Sequence, residues 1–145
     1  MNNLSENIYK TARKKAELTR EAAAEELHIG TRTLDTYESM DGHPPEDVVR
    51  RMCILYNDRF LAYRHIKKSP LGEFLPELFE NNLQGATLGV VNSVNSLNAI
   101  IVELVEICAD GKINEQEKEV WERSKPTIAK AIGALTELLL ANKEG

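Results

Sequence analysis

Residues 18–38 constrain the fold most strongly, because they predict two short helices joined by a tight turn. Thr19 is a good N-cap for the first of these helices, and the second follows Gly30. Ala23 and Ala24 are small enough for the first helix to cross the second closely. The segment therefore predicts a compact helical unit in which the second helix is braced by the first.

The rest of the chain also predicts helices, because no stretch shows sustained alternation of apolar and polar residues. Before the 18–38 segment, a helix is predicted over about 6–17. After it, one helix is predicted to start at 44–46 and another after an Asp58 cap. Two longer helices are predicted over about 83–109 and from a capping box at Asn114 and Glu117 to about Leu140. Gly111 is available for a left-handed cap between the last two, which then form an αα-hairpin. We predict an all-α fold with a five-helix domain over 1–68, a linker with a short helix over 69–82, and a helical hairpin over 83–145.

Composition predicts a soluble, cytoplasmic protein. No run approaches the roughly 18 apolar residues of a membrane span, so no membrane partner is expected. Residues 1–6 contain no apolar signal region. Cys53 and Cys108 lie in apolar helical patterns and are expected to be buried thiols rather than a disulfide or a metal site.

We predict no metal and no cofactor. His28 and His65 have no Cys or Asp partner at ligand spacing. The chain contains no glycine-rich phosphate loop and no Ser/His/Asp or Cys/His set, so an enzyme is not expected.

The net charge of −5 is unevenly distributed along the chain. Residues 1–68 contain 12 Lys and Arg against 11 Asp and Glu, whereas residues 69–145 contain 6 against 12. The two parts therefore carry net charges of +1 and −6. A nearly neutral N-terminal part can still bind DNA if its basic groups cluster, because phosphate contacts are local.

The second helix of the 18–38 segment has short polar side chains opposite its apolar residues Leu34 and Tyr37. A helix fits the major groove of B-DNA, where exposed side chains can reach base edges. Arg32 has the geometry to bind guanine through two hydrogen bonds. The polar face consists of Thr31, Arg32, Thr33, Asp35 and Thr36.

Residues 6–66 resemble the Cro and lambda-repressor class of helix-turn-helix domains, the Xre family. The likeness rests on Arg20 at the start of a helix, Ala24 at the crossing, Glu38 and the loop 41–45. The resemblance implies a lambda-repressor-like domain that binds double-stranded DNA and regulates transcription. It implies base contacts from Thr31, Arg32, Asp35 and Thr36, phosphate contacts from Arg20, Thr33 and His43, and a structural ion pair between Arg13 and Glu38.

Three positions depart from the family pattern, namely His28, Gly30 and Met40, the last of which stands where a glycine is common. His28 replaces the usual glycine of the turn, and Gly30 replaces the usual Ser or Thr cap. The first position often adopts a positive φ, which costs a histidine about 1 kcal/mol. Three assignments have simpler alternatives. Arg13 and Glu38 could instead form an incidental surface pair, Arg32 could be a solvated charge, and His43 could be only a loop residue.

The predicted hairpin is expected to form a homodimer. Two helices alone rarely cover both of their apolar faces, so association is expected. Asn92, Asn95 and Asn98 form either a solvated edge or part of the interface. The residues assigned to dimerisation are Val94, Leu97, Ile101, Leu104, Ile128, Ile132 and Leu135.

Residues 70–145 resemble the C-terminal region of short Xre-type regulators from prophages and mobile elements of Gram-positive bacteria. This likeness rests on the junction 69–72 and the turn 109–113. We predict a sequence-specific transcription regulator that binds a palindromic operator as a dimer. The alternative is a protein-interaction module that uses the helix-turn-helix as a scaffold and binds another regulator through its acidic hairpin. A small effector is a further candidate ligand of the hairpin.

Overall fold

The computed structural model describes residues 7–141, and every regular element in that range is helical. The all-α class is therefore confirmed. The chain divides into two compact units, Met1–Phe74 (unit 1) and Leu75–Gly145 (unit 2), and the boundary falls within the predicted linker. The elements are α1 (Ile8–Lys15), α2 (Arg20–Glu26), α3 (Thr31–Tyr37), α4 (Glu46–Leu55), α5 (Phe60–Lys67), a 3₁₀ helix (Pro70–Phe74), α6 (Leu83–Ile107) and α7 (Lys118–Leu140).

Side-chain caps determine where several helices begin. The hydroxyl of Thr19 accepts a hydrogen bond from the backbone N–H of Ala22 at 3.2 Å, so α2 begins as predicted. Asp58 accepts one from the N–H of Leu61 at 3.2 Å, at the predicted start of α5. Pro45 was expected in the first turn of α4 but is its N-cap, with extended backbone (φ −60°, ψ 153°).

The turn between α2 and α3 has the predicted left-handed residue. His28 has a φ of +54°, and its N–H donates to the carbonyl of Glu25 at 2.9 Å. Gly30 is the N-cap of α3 and provides no side-chain acceptor. The left-handed backbone at His28 ends α2 and lets the chain change direction before α3 begins.

The core of unit 1 receives residues from all five of its α-helices. Tyr9, Leu34, Met52 and Leu61 lie on α1, α3, α4 and α5 and are fully buried. Ala23 and Ala24 of α2 are also buried, as the predicted close crossing requires. Burial of Leu34 fixes the rotation of α3, so the opposite side of this helix faces solvent.

In unit 2, α6 and α7 pack together as a hairpin with small or polar residues buried along it. Gly111 in the connection has a φ of +75°, as predicted for a left-handed cap. Asn114 and Glu117 form the predicted reciprocal capping box, with bonds of 3.0 and 3.1 Å, just before α7 begins. The buried residues of the two helices are Ala86, Ser93, Ile107, Ser124, Ala131, Gly133 and Glu137.

The burial predicted for the two cysteines is wrong. Cys108 is exposed and Cys53 is only partly buried, although both were expected in the core; both are free thiols. Val94, Ile101 and Val105 of α6 are also exposed, and the first two are among the residues assigned to dimerisation. The reason is that α6 is apolar on several sides, and α7 covers one of them.

By length and composition alone, α6 is long and apolar enough to cross a membrane. This corrects the expectation that no segment of the chain is. The helix has 25 residues, only 6% of its most apolar 18-residue stretch is buried, and no charged residue lies between Glu80 and Glu103. Asn, Ser, Thr, Gln and Gly interrupt its apolar runs, so the sequence contains no continuous apolar stretch of this length. A single helix of this kind is weak evidence for a membrane span, because core helices of soluble proteins can have the same length and composition.

Candidate functional site

A buried ion pair joins α1 to the end of α3. Arg13 donates from Nε to one carboxylate oxygen of Glu38 at 2.6 Å and from Nη2 to the other at 2.8 Å. The two side chains are only 9% and 2% exposed, so this is a buried pair and not an incidental surface contact. The hydrogen bond with Glu38 raises the pKa of Arg13. A third bond, from Nη1 to the carbonyl of Leu18 at 2.7 Å, ties the turn before α2 to the same guanidinium.

Asn7 provides a second connection between α1 and α3. Its amide nitrogen donates to the carbonyl of Tyr37, the last residue of α3, at 3.0 Å and to that of Ser39, just beyond the helix, at 2.6 Å. Its side-chain oxygen accepts from the N–H of Tyr9 at 2.9 Å and so caps α1. The C-terminal end of α3 is therefore fixed at two places.

The structure brings the predicted polar residues of α3 together on one exposed surface. Thr31, Arg32, Thr33, Asp35 and Thr36 are all exposed, while Leu34 between them is buried. The hydroxyl of Thr36 donates to the carbonyl of Arg32 at 3.0 Å, so its proton is used within the helix. Thr36 therefore presents its methyl group and its oxygen lone pairs to a ligand.

Arg20 and Asp35 form an ion pair that the sequence analysis missed. Their charged atoms are 2.9 Å apart, and both side chains are partly exposed. The pair joins the start of α2 to the middle of α3. A partly exposed pair of this kind adds little stability, so a stronger ligand can separate the two groups. No periodic pattern in the sequence links these two positions.

His43, the third residue assigned to phosphate, lies on a loop held by aromatic contacts. Its exposed ring stacks on that of His65, with centroids 4.9 Å apart. The Nδ1 atom of His65 is 2.7 Å from the hydroxyl of Tyr9 in a buried hydrogen bond. Burial, and then the neighbouring charge of His43, lowers the pKa of His65, while burial raises the pKa of Tyr9 to about 12. The loop is thereby connected to α1 and α5.

Acidification is expected to destabilise unit 1 through His65. Because its pKa is lowered in the folded state, the unfolded chain, with a histidine pKa near 6.5, binds the proton first as the pH falls. The contribution of His65 to stability is therefore complete above pH 6.5 and decreases below it. Urea unfolding of the parent and of His65→Asn at pH 7.5 and 5.0 should show a smaller stability difference at the lower pH. A stability difference that is equal or larger at pH 5.0 would contradict this expectation. Tyr9→Phe is the control, because it removes the hydrogen bond to His65 but keeps the imidazole.

Acidic residues outnumber basic ones around α2 and α3, although residues 1–68 as a whole have a net charge of +1. Residues 19–43 contain two arginines, Arg20 and Arg32, and six acidic residues. One of the six, Glu38, is neutralised by Arg13. Non-specific attraction to a polyanion at this surface is therefore weak, and any strong binding must come from specific contacts.

None of the seven residues assigned to dimerisation is buried within unit 2. Val94, Ile101, Ile132 and Leu135 are exposed, while Leu97, Leu104 and Ile128 are partly buried. An exposed apolar surface of this extent is typical of a contact region.

Within residues 7–141, no group of three or more His, Cys, Asp or Glu side chains is arranged to hold a metal ion. The exposed α3 surface, the Arg20–Asp35 pair and the His43 loop together form the candidate site of unit 1. Comparisons of the chain with protein-family models, with curated proteins and with solved structures found no match in any of the three.

Proposed function

We propose that this protein is a sequence-specific DNA-binding regulator of transcription, with a lambda-repressor-like helix-turn-helix formed by α2 and α3. The observation that carries the proposal is the exposed polar face of α3. This face is held rigidly, because Leu34 is buried on the other side and the buried Arg13–Glu38 pair fixes the end of the helix. A rigid helix with short polar side chains meets the requirement for close approach to base edges.

In this proposal Arg32 binds a guanine through two hydrogen bonds, and Thr31, Asp35 and Thr36 contact neighbouring base edges. Because the hydroxyl of Thr36 already donates its proton to the carbonyl of Arg32, the methyl group of Thr36 is the part that would contact the methyl group of a thymine. Arg20, Thr33 and His43 contact phosphates, which position the helix without reading sequence. If Arg20 turns from Asp35 to a phosphate, the carboxylate is freed to accept a hydrogen bond from a cytosine amino group.

A second copy of the chain completes the proposal. The uncovered apolar residues of unit 2 support association through the hairpin, because water contact with such a surface is unfavourable. A two-fold dimer would present two α3 helices to half-sites separated by about 34 Å, one turn of B-DNA, or a multiple of it. The preferred operator would then be a palindrome.

Selection of bound sites from random duplex DNA tests the proposal, and Arg32→Ala tests the assigned face. We expect this variant to bind the selected site about 1–3 kcal/mol more weakly and to lose preference at one base pair of each half-site. Arg59→Ala is the control, because Arg59 is an exposed arginine outside α2 and α3. Fluorescence anisotropy with labelled duplexes measures both affinities. If Arg32→Ala binds as tightly as the parent, the assigned face is wrong, and if no sequence is enriched, the DNA proposal fails.

One observation favours a second candidate function, a protein-interaction module that binds a partner through residues 19–43 as well as through the acidic hairpin. The excess of acidic residues over 19–43 would suit a basic protein partner better than a phosphate backbone. DNA affinity falls steeply as salt rises, because counterions are released on binding. A selected duplex whose affinity is insensitive to salt between 50 and 200 mM would therefore favour the protein-interaction alternative.

A further inference from the structure

Unit 2 contains a cavity that plays no part in the proposed DNA contact. It has a volume of about 270 Å³ and lies between α6, α7 and the segment 77–81. Small residues on the two helices, Gly89, Ala129 and Ala134, form part of its wall. Its volume is near the lower end of the range for small-molecule sites, and its lining is mostly apolar with a few polar groups.

The first polar group is the hydroxyl of Ser93, which is buried without a hydrogen-bond partner. Ser93 is only 4% exposed. Other hydroxyls of α6 bind the carbonyl four residues earlier: Thr87 does so at 2.8 Å and Ser96 at 3.0 Å. A buried hydroxyl without a partner is unfavourable, so the orientation of Ser93 requires a compensating contact.

The second polar group is the carboxylate of Glu137, which lines the same cavity and is 3% exposed. One of its oxygens accepts a hydrogen bond from the backbone N–H of Asn81 at 2.5 Å. Among residues 7–141 this carboxylate forms no ion pair, and Lys130 at the same cavity is exposed. Burying an ionised carboxylate is costly unless a cation or several hydrogen bonds compensate its charge.

We propose that this cavity binds a small organic cation, an ammonium group on a compact apolar body. The ammonium would donate hydrogen bonds to the carboxylate of Glu137 and to the hydroxyl oxygen of Ser93, and so satisfy both groups at once. The body would contact the small residues Gly89, Ala129 and Ala134. A metal ion fits less well: Glu77 and Glu137 both line the cavity, but within the described residues no third His, Cys, Asp or Glu side chain joins them to form a metal site.

The test uses the full-length chain and three probes: 2-phenylethylammonium, cyclohexylammonium and hexylammonium. Each is compared with the alcohol of the same carbon skeleton. NMR spectra of protein carrying labelled alanine methyl groups follow the signals of Ala129 and Ala134 during titration. We expect saturable shifts with at least one ammonium and binding about tenfold or more weaker for its alcohol, since charged hydrogen bonds are the stronger ones.

Glu137→Gln removes the charge and retains an acceptor for the N–H of Asn81. We expect it to weaken ammonium binding about tenfold or more while leaving alcohol binding nearly unchanged. Ser93→Ala should weaken it by a smaller factor. Glu122→Gln and Ser96→Ala are the controls, because both residues are exposed and lie on α7 and α6.

The proposal is overturned if no ammonium gives saturable shifts, if each alcohol binds as well as its ammonium, or if Glu137→Gln binds like the parent. Should Glu137→Gln fail to fold, the comparison of ammonium with alcohol and the Ser93→Ala variant still decide the matter. These titrations contain no DNA, so their failure would leave the proposed DNA function untouched, and failure of DNA binding would leave this proposal untouched.

Discussion

Glu38→Ala is expected to lower the free energy of unfolding of unit 1 by about 3–5 kcal/mol. The change leaves the guanidinium of Arg13 buried with its two shortest carboxylate contacts removed. A buried charge without its partner is much less stable than either the intact pair or an apolar replacement. Urea unfolding followed through NMR signals of unit 1 residues measures this loss separately from unit 2.

Asp47→Ala is the matched control for Glu38→Ala. Asp47 pairs with Arg51 at 3.3 Å, and its side chain is 74% exposed, so its removal should cost less than about 1 kcal/mol. Replacing both members of the buried pair, as Arg13→Met with Glu38→Leu, should recover part of the stability lost in Glu38→Ala. A loss for Glu38→Ala as small as that of Asp47→Ala would contradict the structural role of the buried pair.

Gly42→Ala is the second substitution with a large expected effect, a loss of about 3 kcal/mol in the stability of unit 1. A Cβ at this position would lie 2.0 Å from the carbonyl oxygen of Tyr37 and 2.8 Å from that of Thr36. Both atoms belong to the backbone at the end of α3, so they cannot move aside as a side chain can. The loop must therefore shift, and His43 would shift with it.

Gly30→Ala provides the comparison for Gly42→Ala. Its Cβ would meet only the hydroxyl of Thr33, at an ordinary 3.6 Å, so the loss should be about 1 kcal/mol or less. Urea unfolding measures both variants, and amide NMR shifts over residues 41–45 report whether the loop has moved. Equal stability of the two variants, without shifts in that loop, would show that the close approach at Gly42 is not a constraint.

Local features of the fold were predictable because they depend on neighbouring residues. The cap at Thr19, the left-handed backbone at Gly111 and the capping box at Asn114 and Glu117 each require contacts within a few positions. The positive φ of His28 was expected at a position where the resembling family has glycine. The same reasoning proposed the Arg13–Glu38 contact, and the structure forms it as a buried pair.

Which residues of α6 are buried in unit 2 could not be predicted from periodicity alone. Periodicity shows that one side of α6 is apolar, but it cannot show whether that side meets α7 or remains uncovered. The helix buries Ala86 and Ser93 against its surroundings, while Val94 and Ile101 are exposed. Small residues that allow close helix packing give a weaker signal than the larger apolar residues beside them. The cavity was therefore not predicted from the sequence. Ser93 and Glu137 mark it because they are buried, and burial cannot be inferred from their residue types.

The sequence also could not predict the contacts that join distant residues in the candidate site. Arg20 and Asp35 lie on different helices, and their pairing depends on the crossing angle of α2 and α3. The stacking of His43 on His65 depends on the path of the loop before α4. The sequence indicated which residues of α3 would be exposed, but not which of them would already have a partner.

The hydrogen bond between Tyr9 and His65 has a consequence for the order in which unit 1 can fold. It joins residues 56 positions apart, and Leu61, fully buried in the core, lies on the same final α-helix as His65. During synthesis, the buried hydroxyl of Tyr9 therefore has no imidazole partner until α5 has left the ribosome. A chain that stops before α5 exposes an unfinished core, and any independently expressed unit 1 must extend past Lys67.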